Sequence, residues 1–196
     1  RASWTNEYNY NKKRKRFLTV QLGATGRSLM KLQGKKIIVL VEDLYQELEA
    51  WYPLLRMREE GAEVATVGTE AGVTYKSKGG YPITSDVASR DTDVSEYDGI
   101  IIPGGYAPDL MRRHPATVQL VKDGFEQGKV VAAICHAGWM LTSADIVRGR
   151  KVTGFFAIRD DLVHAGAEYE DAEVVVDGTL ITSRKPDDLP AFCRKI

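Results

Sequence analysis

An α/β fold, with an open and mostly parallel sheet carrying helices on both faces, is predicted by three features of this 196-residue chain. Apolar, β-branched runs such as residues 36–41 (KIIVLV) and 97–103 (YDGIIIP) show no polar alternation, as strands buried on both faces require. Segments with helical spacing lie between them, at the roughly 10–15-residue intervals of parallel crossovers. At 43% hydrophobic residues the chain can bury a full core, and its length fits one domain.

The elements follow in order. After the strand at 36–41, residues 49–60 place Trp51, Leu54, Leu55 and Met57 at helical spacing and stop at Gly61. Residues 63–67 read as the next strand, and the Gly- and Lys-rich stretch 72–81 as a turn or short hairpin. The strand at 97–103 is closed by Gly104 and Gly105. A helix at about 117–127 and a strand at 130–135 come next. Residues 137–146 read as helix and 149–153 as the start of a strand. Residues 173–184 form two short β runs around Asp177-Gly178, a hairpin turn.

Net charge is zero, but it is unevenly placed. Residues 1–34 hold eight basic side chains and one acid, and residues 35–196 hold 19 basic and 26 acidic groups. The expected organisation is a basic N-terminal extension, 1–34, ahead of one α/β domain, 35–196. The extension, with its basic run at 12–16 and with Trp4, Tyr8 and Tyr10, reads as an anion-touching arm, as a targeting segment or as a non-native or upstream-translated leader before Met30. The last is preferred. An acidic body repels phosphate backbones, so no nucleic-acid partner is expected. No apolar run approaches the roughly 20 residues of a membrane span. Cys135 and Cys193 make no disulfide framework, which points to a reducing, cytoplasmic compartment. No metal-ligand spacing and no Gly-x-Gly-x-x-Gly after the first strand occur, so no metal and no dinucleotide cofactor is expected.

In a sheet of this kind, sites lie outside the carboxyl ends of the strands. Cys135 follows a buried strand and precedes a helix, with Ala133 and Ala137 close by, as at a crowded strand-to-helix elbow. A thiol at a helix N-terminus is expected to be exposed, with its pKa lowered by the unpaired N–H groups. His136 beside it serves as proton acceptor or donor, or as an imidazolium stabilising the thiolate. Gly104-Gly105, after a neighbouring strand, lets backbone N–H groups point into a cleft as an oxyanion site. Of the acids after the first strand, Glu42, Asp43, Glu47 and Glu49, one held near the thiol would have a raised pKa and exchange protons with it. Spacing leaves open which one. His114, His164 and Cys193 read as structural.

The segments VVAAICHAGWMLTSADIVRGRKVT, PGGYAPD and EVVVDGTLITSRKPDDLPAF together resemble the ThiJ/PfpI superfamily, in its branch of PfpI-type intracellular cysteine peptidases and stress-response deglycases. The resemblance spans 36 to about 193. It implies a flavodoxin-like, class I glutamine amidotransferase-like single domain. It also implies Cys135 as nucleophile, His136 as acid/base, Glu49 as the buried thiol partner, and Gly104, Gly105 and Ala137 at the oxyanion and substrate site. Asp109, supplied by a neighbouring subunit, would orient the histidine, so a homo-oligomer (dimer or hexamer) is implied. Gln46 stands where many members have a second acid. Ala137 and Gly138-Trp139 replace Gly and Pro-Gln, and Phe155 replaces a Tyr.

The function expected from this is cysteine-dependent hydrolysis of small carbonyl electrophiles: glyoxal adducts, free glyoxals without glutathione, protein deglycation, and peptides. The alternative is a non-catalytic redox-sensing or chaperone-like stress protein with an oxidisable Cys135. Glutamine amidotransfer lacks its downstream His-x-Glu pattern.

Overall fold

The computed structural model describes residues 30–196, so the expectations on residues 1–29 lie outside the described residues. The strands are β1 (Lys36–Leu40), β2 (Glu63–Gly68), β3 (Thr74–Lys76), β4 (Pro82–Thr84), β5 (Val87–Ala88), β6 (Gly99–Ile102), β7 (Val130–Ile134), β8 (Lys151–Val152), β9 (Glu168–Tyr169), β10 (Val174–Asp177) and β11 (Leu180–Ser183). The helices are α1 (Glu47–Glu59), α2 (Ala107–Met111), α3 (Pro115–Glu126), α4 (Gly138–Ser143), α5 (Arg159–His164) and α6 (Leu189–Lys195).

One sheet runs in the order β10-β11-β7-β6-β1-β2-β5. Every neighbouring pair is parallel except β10 with β11, which form the hairpin expected at Asp177-Gly178. The three central strands are the apolar runs of the sequence, and Ile38, Val39, Ile100, Ile101, Val131 and Ala132 are fully buried. Unbroken hydrophobicity is what strands covered on both faces need. Right-handed crossovers place α1, between β1 and β2, on the face opposite α3, between β6 and β7, because the chain moves in opposite directions along the sheet. The order reverses between β1 and β6, so their carboxyl-terminal loops diverge and open a crevice.

Several boundaries differ from the sequence reading. Gln46 caps α1 with its side chain, accepting from the Glu49 N–H at 2.9 Å, which starts the helix two residues early. The expected helix at 137–146 is shorter. It begins with a 3-10 turn, Cys135–Ala137, and α4 stops at Ser143, two residues before the left-handed Asp145. Residues 72–81 contribute to the antiparallel β3–β4 hairpin, and β8 pairs with β9 outside the main sheet. Among the described residues, no helix is long and apolar enough to cross a membrane.

Candidate active site

The loops after β1, β6 and β7 meet at the crevice. Gln46 N donates to Gly104 O at 3.1 Å and Tyr106 N to Leu44 O at 2.9 Å, tying the first two loops together. Gly105 is required there: its φ is +82°, and a Cβ would lie 2.5 Å from Leu44 O. Gly104 is required for close approach, since a Cβ would stand 2.6 Å from both Cys135 Cβ and Glu49 Oε2.

Cys135 sits at the end of β7 with φ +62°, a left-handed conformation rare for a side-chain-bearing residue and costing about 1–3 kcal/mol. The strain turns the sulfur towards the loops of β1 and β6. His136 Nδ1 lies 3.2 Å from Sγ, and the backbone N–H groups of Gly105 and His136 hydrogen-bond the sulfur. Glu49, on the first turn of α1, is 0% exposed. Its Oε2 accepts from Gly104 N at 2.8 Å, and its Oε1 has no hydrogen-bond partner among the described residues. The carboxyl group stands beside the thiol. Burial raises its pKa to about 7, against the pull of the Gly104 N–H, the Cys135 thiol and the Lys78 charge.

Two electrostatic expectations are corrected. Cys135 is only 7% exposed, and burial pushes its thiol up to about 12, with the Glu49 charge adding to the rise. The Gly105 and His136 N–H groups pull the other way but lose to desolvation. A single 3-10 turn followed by a six-residue helix supplies too little dipole to win. His136 is lowered, first by burial and then by the Lys78 charge, so the ring rests neutral and is no imidazolium partner for a thiolate.

A cleft of about 490 Å³ opens onto Glu49, Cys135 and His136, walled by Gln46, Lys78, Gly105, Tyr106, Trp139, Phe155 and Pro186. Phe155 stacks on His136 at 4.8 Å between centroids, and Trp139 meets the same ring edge-on at 5.2 Å. Trp139 is itself fixed by its Nε1–H donating to Asp161 at 2.8 Å.

The structure thus brings together Cys135, His136, Glu49, Gly104 and Gly105. Ala137 shares the turn but is 0% exposed and does not line the cleft; its methyl fills the core, so it offers substrate no side chain. Asp109 stands apart on α2, paired with Arg113. The other acids divide by role. Glu42 accepts from Thr69 Oγ1 and Asp43 N, Asp43 accepts from Lys76 N, and Glu47 anchors Ser77 and Gly79 of the β3–β4 turn. Lys78, Tyr106 and Pro186 are cleft residues that sequence reasoning missed. The Gly-Lys pattern of the hairpin was a signal for Lys78, but not for its direction.

A family model described as the DJ-1/PfpI family matches residues 35–196. The chain belongs to the DJ-1/PfpI family. It is 44% identical over 160 residues to a deglycase of Thermococcus kodakarensis, covering 82% of this chain and 96% of the relative. It is 44% identical over 164 residues to the protein/nucleic acid deglycase 2 of Escherichia coli, covering 83% and 95%. Among solved structures, a two-domain protein of Anabaena variabilis with DJ-1/ThiJ/PfpI-like and ferritin-like domains superposes with a TM-score of 0.82 at 43% identity. That match covers 83% of this chain and 47% of the Anabaena chain. Both relatives are enzymes by name, as deglycases.

Proposed function

We propose that this protein is a cysteine-dependent hydrolase of small carbonyl electrophiles, acting on glyoxal adducts of proteins and on free methylglyoxal without glutathione, in the cytoplasm under carbonyl stress. Peptides are the second substrate class of the same reading. The observation that carries it is one sulfur, Cys135 Sγ, held among a buried carboxyl group, two backbone N–H groups and a neutral imidazole at the base of one cleft.

In this scheme the thiol adds to the aldehyde carbon of methylglyoxal. The S–C bond forms as Glu49, an acid poised near neutrality, takes the thiol proton. The carbonyl π electrons move to oxygen, where the N–H groups of Gly105 and His136 receive the charge. Glu49 returns that proton to the oxygen, giving a hemithioacetal, and, ionised again, moves the proton from the former aldehyde carbon to its neighbour through an enediol, leaving a thioester. Water cleaves the thioester, releasing lactate and restoring the thiol. Neutral His136 is suited to hold and pass on the hydroxyl proton.

Asp109 enters as a residue from a second copy. Among the described residues, His136 Nε2 has no hydrogen-bond partner, which leaves that nitrogen for a carboxylate across an oligomer interface. The redox-sensor alternative is supported less well, because it needs an accessible, readily ionised thiol. Turnover of methylglyoxal and of a fluorogenic peptide by wild type and Cys135→Ala, side by side, tests the proposal. Loss of both activities with the variant is expected, and full methylglyoxal turnover by Cys135→Ala would refute it.

A further inference from the structure

We propose that Lys78 makes the cleft an anion-selecting site, so that its preferred carbonyl substrates carry a carboxylate close to the carbon that Cys135 attacks. This rests on the reading of Cys135 as the attacking thiol.

Lys78 is placed by a braced turn. Its own N–H donates to Tyr45 O at 3.0 Å, Gly80 N to Ser77 O at 3.0 Å, and Ser77 Oγ to Glu47 at 2.6 Å. The backbone that carries the ammonium is therefore fixed to the loop after β1, beside the catalytic corner. Among the described residues Lys78 forms no ion pair, whereas Arg56, Arg90, Arg113, Arg150 and Arg184 are all paired. Among the described residues it is also the only ammonium or guanidinium group on the cleft wall. Its field reaches the cleft base, pulling the pKa values of Glu49 and His136 downwards.

Most of the remaining wall is the rings of Trp139, Phe155 and Tyr106 together with Pro186. Low-dielectric walls with one sign of charge between them concentrate the field on whatever enters. Two carboxylates compete for Lys78: Glu47, held outside the cleft wall by Ser77 and Gly79 and unchanged by the reaction, and Glu49 inside it, whose charge the chemistry removes. As the thiol attacks, its proton neutralises Glu49, so repulsion of a substrate carboxylate fades while the attraction to Lys78 stays. A carboxylate-bearing carbonyl thereby gains at the transition state what a neutral aldehyde cannot.

Paired alkylating probes of nearly equal shape test this: iodoacetate, an anion, and iodoacetamide, which is neutral. With each, Sγ displaces iodide, the S–C bond forms as C–I breaks, and the thiol proton passes to Glu49. Rates at Cys135 are read by peptide mass spectrometry, which separates it from Cys193. In Lys78→Met the iodoacetate-to-iodoacetamide rate ratio should fall about three- to fivefold, the size of one partly screened charge interaction. Lys78→Arg should keep the ratio, and added salt should lower it in wild type but not in Lys78→Met. A ratio unchanged in Lys78→Met, or falling equally in Lys78→Arg, overturns the proposal. Alkylation needs no turnover, so a wild type that leaves methylglyoxal untouched but shows these ratios would sink the hydrolase reading and leave the anion site standing.

Discussion

Replacing Glu49 with Gln should stabilise the protein at alkaline pH while disabling it. Glu49 is fully buried and its pKa is raised from the ordinary 4.5 to about 7. The carboxyl group is therefore protonated in the native state and ionised in the unfolded chain between those two values. The unfolded state binds fewer protons there, so stability falls as pH rises through the window. Below about pH 4.5 the effect vanishes, and above about pH 7 its full size is about 3 kcal/mol of destabilisation. Gln has nearly the same shape, keeps an oxygen for the Gly104 N–H and never ionises. Urea unfolding followed by tryptophan fluorescence would give the stability difference between Glu49→Gln and wild type at each pH. That difference should grow in favour of the variant by about 2.5 kcal/mol between roughly pH 5 and pH 8. A difference that stays constant across this range would show that Glu49 is an ordinary carboxylate, and would remove it as the proton acceptor for Cys135.

Other expectations follow from the same geometry. The rate of Cys135 alkylation by iodoacetamide should fall as pH drops through about 7, as Glu49 gains its proton, and this bend should be missing in Glu49→Gln. Gly104→Ala forces a Cβ to within 2.6 Å of Cys135 Cβ and Glu49 Oε2, so it should cost about 1–3 kcal/mol in urea unfolding and abolish turnover. If Asp109 acts across an interface, inactive Cys135→Ala and inactive Asp109→Ala should regain part of the activity when unfolded and refolded together. Refolded separately and then mixed at once, they should not.

The central strands and the mostly parallel sheet were legible because buried parallel strands must be apolar throughout, and KIIVLV, GIII and VVAAI are; their order across the sheet was not. Cys135 and Gly104-Gly105 were legible in combination: each alone reads as a core residue or a turn, but a Cys-His pair between a buried strand and a helix, with paired glycines at another strand end, points to a site. The boundaries of α1 and α4 were not, since the Gln46 cap and the left-handed Asp145 are set by tertiary context. The thiol's ionisation was misread because proximity to a helix start shows in sequence and desolvation does not. Choosing Glu49 from four nearby acids needed the direction of a side chain, which four carboxylates within eight positions do not encode. Lys78 reaches the cleft only because a hairpin folds back over the loop after β1.

The central claim is that Cys135 forms the bond to substrate with Glu49 receiving its proton. Its most direct test is rapid acid quench of the protein mixed with methylglyoxal, followed by peptide mass mapping. The account predicts a Cys135 peptide heavier by one methylglyoxal, forming and decaying as lactate appears, and slowed in Glu49→Gln. Lactate produced with Cys135 never modified would contradict it.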